Sequence, residues 1–214
     1  MLEDIYRVEE LLGPLGVSFK KSKLRRYKLA DCGKGDTVFS RDIAKRLRAS
    51  ILFTGPILAR YGRVSFPHPG GCVIGERPID LFLEGFEKMG ARIREKNGMY
   101  QIAAPKNGLR GADIFFRMQS VTVAETFLMT AVLARGKTIL RNVPVEPEIG
   151  ELILFLNSCG AKISGAETHC LEIVGGAPLQ AKGTAYAIIP DRIETGSFLI
   201  LAALLGKKIT ITNC

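Results

Sequence analysis

Three glycines set the rhythm of apolar and polar positions along this chain. Gly16, Gly90 and Gly160 each close a helical pattern and each precede a strand-like run, GVSF, GARI and GAKI. Eleven residues before each stands Ile5, Ile79 or Ile149; eight before, Val8, Phe82 or Leu152; four before, Leu12, Phe86 or Leu156; one before, Leu15, Met89 or Cys159. Steps of three and four keep these side chains on one helix face, and glycine supplies the left-handed conformation that ends it. We call this element helix B. A second series, helix A, ends in LARYGR, VLARGK and AALLGK, with Gly62, Gly136 and Gly206 each followed by a basic residue and a β-branched strand. Both series recur at intervals of 74 and then 70 residues, and matching intervals in two series mark an internal repeat. The order is B, A-B, A-B, A, and each unit reads strand, helix, strand, helix, strand, strand.

The A copies, AETFLMTAVLA and ETGSFLILAALL among them, are apolar nearly all round, so each predicts a helix buried on most sides. The strands alternate apolar with charged, as in RIREKNGMYQI and KITIT, which predicts sheets with one face in water. Helices inside and sheets outside, in pseudo-threefold repetition, describe a prism rather than a doubly wound sheet.

At 214 residues with 47% apolar and 24% charged, the chain has an ordinary globular composition. The N-terminal MLEDIYRVEELLG lacks the basic-then-apolar order of a secretory signal, and no apolar run approaches the roughly 18 to 20 residues of a membrane span. A cytoplasmic protein is expected. The five cysteines, Cys32, Cys72, Cys159, Cys170 and Cys214, are odd in number and never in a C-x-x-C pair, which disfavours a disulfide framework and a zinc site. Cys159 reads as a small core residue. The net charge of +9 admits nucleic acid or small polyanions as partners. The densest basic run, KKSKLRRYK, puts six cations among Lys20 to Lys28. It reads as a solvated edge strand guarded by lysines, and no RNA-binding or recognition-helix pattern accompanies it.

Candidate chemistry concentrates in SFPHPGGCVIGERPID, residues 65 to 80. Pro67, Pro69, Gly70 and Gly71 predict an exposed loop over 66 to 76 that carries Cys72. A thiol near arginine tends to a lowered pKa and can serve as acid, base or nucleophile. Pro78 suits a first helical position, which places Arg77 at the cap of a B helix, where unpaired N–H groups and a guanidinium favour a phosphate. Arg48, in RLRASILF, taken alone reads equally as a surface arginine.

Taken together, RAS with GPILARYG, PGGCVIGERPIDL, SVTVAET and IPDRIETGSF resemble the UDP-N-acetylglucosamine enolpyruvyl transferase (1-carboxyvinyltransferase) family of peptidoglycan synthesis, over essentially all 214 residues. The resemblance implies an α/β (α+β) prism with pseudo-threefold repeats, central helices and outer mixed sheets. It implies transfer of the enolpyruvyl group of phosphoenolpyruvate to the 3-hydroxyl of UDP-N-acetylglucosamine with release of phosphate, without cofactor or metal. By position, Cys72 resembles the loop cysteine that donates a proton to phosphoenolpyruvate, forms a covalent adduct and is alkylated by fosfomycin. Arg77 resembles a phosphate-contacting arginine. Arg77, Pro78, Ile79, Asp80 and Leu81 resemble the segment lining the uridine nucleotide, and Arg48 resembles another nucleotide-site arginine. Gln119, Ser120 and Val121 match the turn that holds the diphosphate, although SVTVAET departs from the family's S-V-G-A-T-E-N.

The family's chain is about twice as long, so its Lys-Asn pair falls before Met1, and its base aspartate and further arginines fall beyond Cys214. The expected organisation is a prism domain over 1–190 and, over 191–214, the first helix and strand of a second domain or a segment completing the prism. The expected partners are the two small-molecule substrates, with a complementing C-terminal half or a copy joined by swapping, and neither membrane nor nucleic acid. The alternatives are a non-catalytic UDP-sugar-binding or assembly fragment, the shikimate-pathway enolpyruvyl transferase, which lacks the PGGC loop, and an RNA-binding role for the Lys20 to Lys28 run.

Overall fold

A computed structural model describes residues 3–23, 25–33, 35–70, 77–181, 183, 185–206 and 208–214. The chain divides into two units, Met1–Ala181 and Lys182–Cys214. In the first unit the B pattern forms α1 (Glu3–Leu12), α4 (Asp80–Lys88) and α6 (Pro147–Ser158), and the A pattern forms α3 (Thr54–Tyr61) and α5 (Val121–Ala131). The third A copy forms α7 (Arg192–Leu205) in the second unit. A short helix, α2 (Arg41–Arg46), and a 3-10 turn over Arg48–Phe53 lead into α3. All six repeat glycines have positive φ, between +59° and +102°, the backbone region that a side chain would strain.

The B faces pack as their spacing requires. Ile79, Phe82, Phe86 and Met89 are all buried, as are Leu12, Leu15, Ile149 and Leu156. Ile5, Val8 and Leu152 are half-buried. Cys159 is half-buried at the end of α6 rather than enclosed in the core.

The strands form three sheets. β1 (Val17–Lys23) and β2 (Arg26–Asp31) make a two-stranded ribbon; β3 (Arg63–Pro67), β4 (Arg92–Lys96) and β5 (Met99–Ala103) align as β3-β5-β4. β6 (Asp113–Phe115), β7 (Gly136–Arg141), β8 (Lys162–Ser164) and β9 (Cys170–Gly175) align as β6-β7-β9-β8. Among the strands of the described residues only the β6–β7 pair is parallel, so the last sheet is mixed and the other two are antiparallel. Val64, Phe66, Ile102, Leu140, Leu171 and Ile173 turn into the core, while alternate residues such as Arg63, Gln101 and Glu172 face water.

The helical centre is α5. Val123, Ala124, Phe127, Leu128 and Ala131 are buried, with Thr126 and Thr130 satisfied by the carbonyls of Thr122 and Thr126 at 2.8 and 2.6 Å. α3 crosses it closely, since a Cβ on Gly55 would overlap the Thr130 hydroxyl. The third A copy departs from this pattern: α7 buries none of its residues.

The basic run is a hairpin rather than one edge strand. It turns at Arg25, φ +56°, and pairs Lys20 with Lys28 and Lys23 with Arg26. Phe19 and Tyr27 stack on it with ring centroids 4.8 Å apart.

Candidate functional site

The segment leading to Cys72 is anchored. β3 continues to Pro67, and Phe66, Pro67 and Pro69 are buried, so the exposed loop expected from residue 66 does not begin there. The Gly70 amide donates to the Ala44 carbonyl at 3.1 Å, and a Cβ at Gly70 would overlap the Lys45 carbonyl oxygen. Only glycine lets the backbone pass that close to the end of α2. Cys72, with the rest of residues 71–76, lies outside the described residues.

Beyond that segment the Arg48 guanidinium reaches the chain again. Its Nη1 donates to the Arg77 carbonyl at 3.3 Å and its Nη2 to the Pro78 carbonyl at 3.4 Å. Buried Leu47 and Ser50 on either side of Arg48 fix the backbone from which this contact is made. The helix expected from Pro78 begins two residues later: α4 starts at Asp80 with Ile79 at the cap. Arg77 and Pro78 are therefore exposed residues ahead of the helix, not its cap and first turn.

Of the other residues in that segment, Ile79 and Leu81 are buried, so only their main chain can meet a ligand. Asp80 forms an ion pair with Arg117, which also approaches Glu84 at 3.4 Å. Sequence reading missed Arg117. Three residues before the start of α5's capping turn, it ties that turn to the first turn of α4. The Arg48–Arg77 corner and the Gln119–Val121 turn are thus held on adjoining elements.

In that turn Ser120 caps α5, its Oγ accepting from the Val123 amide at 3.4 Å, and Val121 opens the helix. Gln119 Nε2 donates to Asn142 Oδ1 at 3.3 Å and lies 3.2 Å from His169 Nδ1. Further along α5, burial, aided by the Glu148 charge, pushes the Glu125 carboxyl up to about 7. Exposed arginine, a serine-capped helix start and a side-chain amide are groups suited to oxyanions. Among the described residues no cluster of three or more His, Cys, Asp or Glu is arranged to hold a metal, and no helix is long and apolar enough to cross a membrane.

Comparison with known proteins gives this arrangement a context. The family profile described as EPSP synthase (3-phosphoshikimate 1-carboxyvinyltransferase) matches residues 1–214. A protein of Pseudoalteromonas atlantica named UDP-N-acetylglucosamine 1-carboxyvinyltransferase is 44% identical over 212 residues, which is 99% of this chain and 50% of that protein. The chain thus spans about half the length of that relative. Among solved structures, the enolpyruvyl transferase NikO from Streptomyces tendae superposes with a TM-score of 0.74 at 18% identity, covering 91% of this chain and 45% of that one. An EPSP synthase from Acinetobacter baumannii superposes with a TM-score of 0.65 at 18% identity, over 84% of this chain and 41% of its own. At that identity the likeness establishes the fold, which is the α/β fold of the enolpyruvyl transferases.

Proposed function

The chain belongs to the EPSP synthase family, and from that premise we propose that it forms one wall of a UDP-N-acetylglucosamine 1-carboxyvinyltransferase. The observation that carries this reading is the 44% identity over 212 residues to a protein of that name. The PGGC motif at residues 69 to 72 favours the sugar nucleotide over 3-phosphoshikimate as acceptor. The reaction would move the enolpyruvyl group of phosphoenolpyruvate to the 3-hydroxyl of the sugar and release phosphate, committing the sugar to peptidoglycan in the cytoplasm.

In this reading Cys72 supplies the proton. Protonating the methylene carbon of the enol phosphate builds positive charge on the adjacent carbon, where the sugar hydroxyl attacks; phosphate then leaves as a proton is lost from the new methyl group, restoring the double bond, so an acid must sit against one face of the substrate. Arg77 binds phosphate, and Arg48 binds at the nucleotide site while holding the backbone of Arg77 and Pro78. Asp80 and the main chain of Ile79 and Leu81 line the nucleotide. The Gln119–Ser120–Val121 turn takes the diphosphate at the start of α5. Bringing two polyanions together needs such fixed positive charge and donors, which also stabilise the departing phosphate. We take 1–190 as the prism domain and 191–214, whose described residues form α7 and no strand, as either the opening of a second domain that carries the base for the hydroxyl or a segment completing the prism.

Calorimetry with UDP-N-acetylglucosamine and a phosphate-release assay with both substrates test this together. The chain alone should bind the nucleotide and turn over negligibly. Supplying the C-terminal half of the relative should restore phosphate release, and Cys72→Ser or alkylation by fosfomycin should abolish it. No nucleotide binding, or a complemented enzyme indifferent to Cys72→Ser, would refute the proposal. Binding that no complementing half converts into turnover would instead identify a UDP-sugar-binding fragment.

A further inference from the structure

The turn leading into α5 is gripped from outside that helix. Asn142 follows β7 with φ +60°, in the left-handed region that asparagine tolerates better than most residues. Its Nδ2 donates to the Phe116 carbonyl at 2.7 Å, and its Oδ1 accepts from Gln119 Nε2 at 3.3 Å. One carboxamide therefore holds both ends of the 116–119 stretch. The Asn142–Phe116 bond at 2.7 Å is the short one here; the Ser120 Oγ to Val123 N cap at 3.4 Å is long for a hydrogen bond, as is the Gln119–Asn142 bond at 3.3 Å.

Asn142 is itself fixed by its neighbour. The Val143 amide donates to the His169 carbonyl at 3.1 Å, and the Val143 carbonyl accepts from His169 Nδ1 at 2.7 Å. A carbonyl can only accept, so Nδ1 carries the proton. It cannot then accept from Gln119 Nε2, and the Gln119 amide hydrogen goes to Asn142.

We propose that Asn142 is a positioning residue for the diphosphate turn, setting Gln119 and Ser120 at the mouth of α5, with His169 locking its backbone. This rests on the reading of residues 119–121 given above. Phe116 is anchored independently by its amide, which donates to the Arg141 carbonyl at 3.0 Å, so Asn142 ties the turn to a fixed strand end rather than to another loop.

Asn142→Gly in the 214-residue chain is the test, since glycine keeps the left-handed backbone while removing both hydrogen bonds. Thermal stability should stay close to that of the parent chain. Amide exchange at Val123 and Ala124, which donate to the Ser120 Oγ and carbonyl, should quicken about tenfold, and affinity for UDP-N-acetylglucosamine should fall about tenfold, the loss expected from one or two ordinary hydrogen bonds. Gln119→Ala should add little to Asn142→Gly, because a residue acting through another shows coupled rather than additive effects. Asn142→Asp, which keeps the acceptor for Gln119 and the backbone preference but sets a carboxylate against the Phe116 carbonyl, reads the loss of the Phe116 bond alone through the same exchange measurement if the glycine variant folds poorly. Unchanged exchange at Val123 and Ala124, or fully additive losses, would overturn the inference. Absence of nucleotide binding by the parent chain would sink the reading of the turn as a diphosphate site, while the exchange measurement would still decide whether Asn142 holds it.

Discussion

Glu125 shows how one carboxyl inside a helical centre makes stability depend on pH. Its folded-state value of about 7 stands above the ordinary 4.5, raised by burial first and by Glu148 second. Between those two values the folded chain holds a proton that the unfolded chain has released, so stability falls as pH rises from about 4.5 to about 7 and this contribution levels off above. Glu125→Gln removes the slope. Melting temperatures at about pH 5 and pH 8 should therefore converge in the variant relative to the parent chain; an unaltered gap would show that Glu125 does not carry it. At this scale the motif residues were legible and their partners were not. Arg48, Arg77 and the 119–121 turn stand out by the company they keep in sequence. Arg117 and Asn142 act through Asp80 and Gln119, which are 37 and 23 residues away, and no local pattern records such contacts.

Helix packing turns on small residues facing large ones. A Cβ on Gly85 of α4 would overlap the Phe127 ring, itself wholly buried between Phe86 and Phe116 with centroids at 5.2 and 6.0 Å. The ring has nowhere to retreat. Gly85→Ala should cost about 1–3 kcal/mol, read as a lower urea midpoint with unchanged slope; a neutral result would mean that the α4–α5 contact yields more easily than its burial suggests. The faces of the B helices were legible because three- and four-residue steps have one geometric meaning. The start of α4 was not, since Pro78 is a good first helical residue by itself, yet the helix opens at Asp80 with Ile79 at its cap.

Across the whole molecule, the repeat announced the architecture and fell short on one element. Matching spacings of glycine-terminated helices identified both series and the sheets between them. They could not say that α7, apolar nearly all round, would bury none of its residues, because periodicity specifies that a helix forms and tertiary contacts alone specify its surroundings. The six cations of the hairpin are a large share of the net charge of +9, and Lys20 directly faces Lys28 across the strands. Like charges so placed push a ribbon apart, and dissolved ions are what relieves them. Passing from about 0.01 to 1 M sodium chloride shortens the screening distance from about 30 to about 3 Å. Amide protection in β1 and β2 should rise over that range, and a fall would contradict the repulsion. Surface pairs such as Lys137 with Glu172, 2.7 Å apart, should loosen instead, so the ionic strength of the medium shifts order from one edge of this molecule to another.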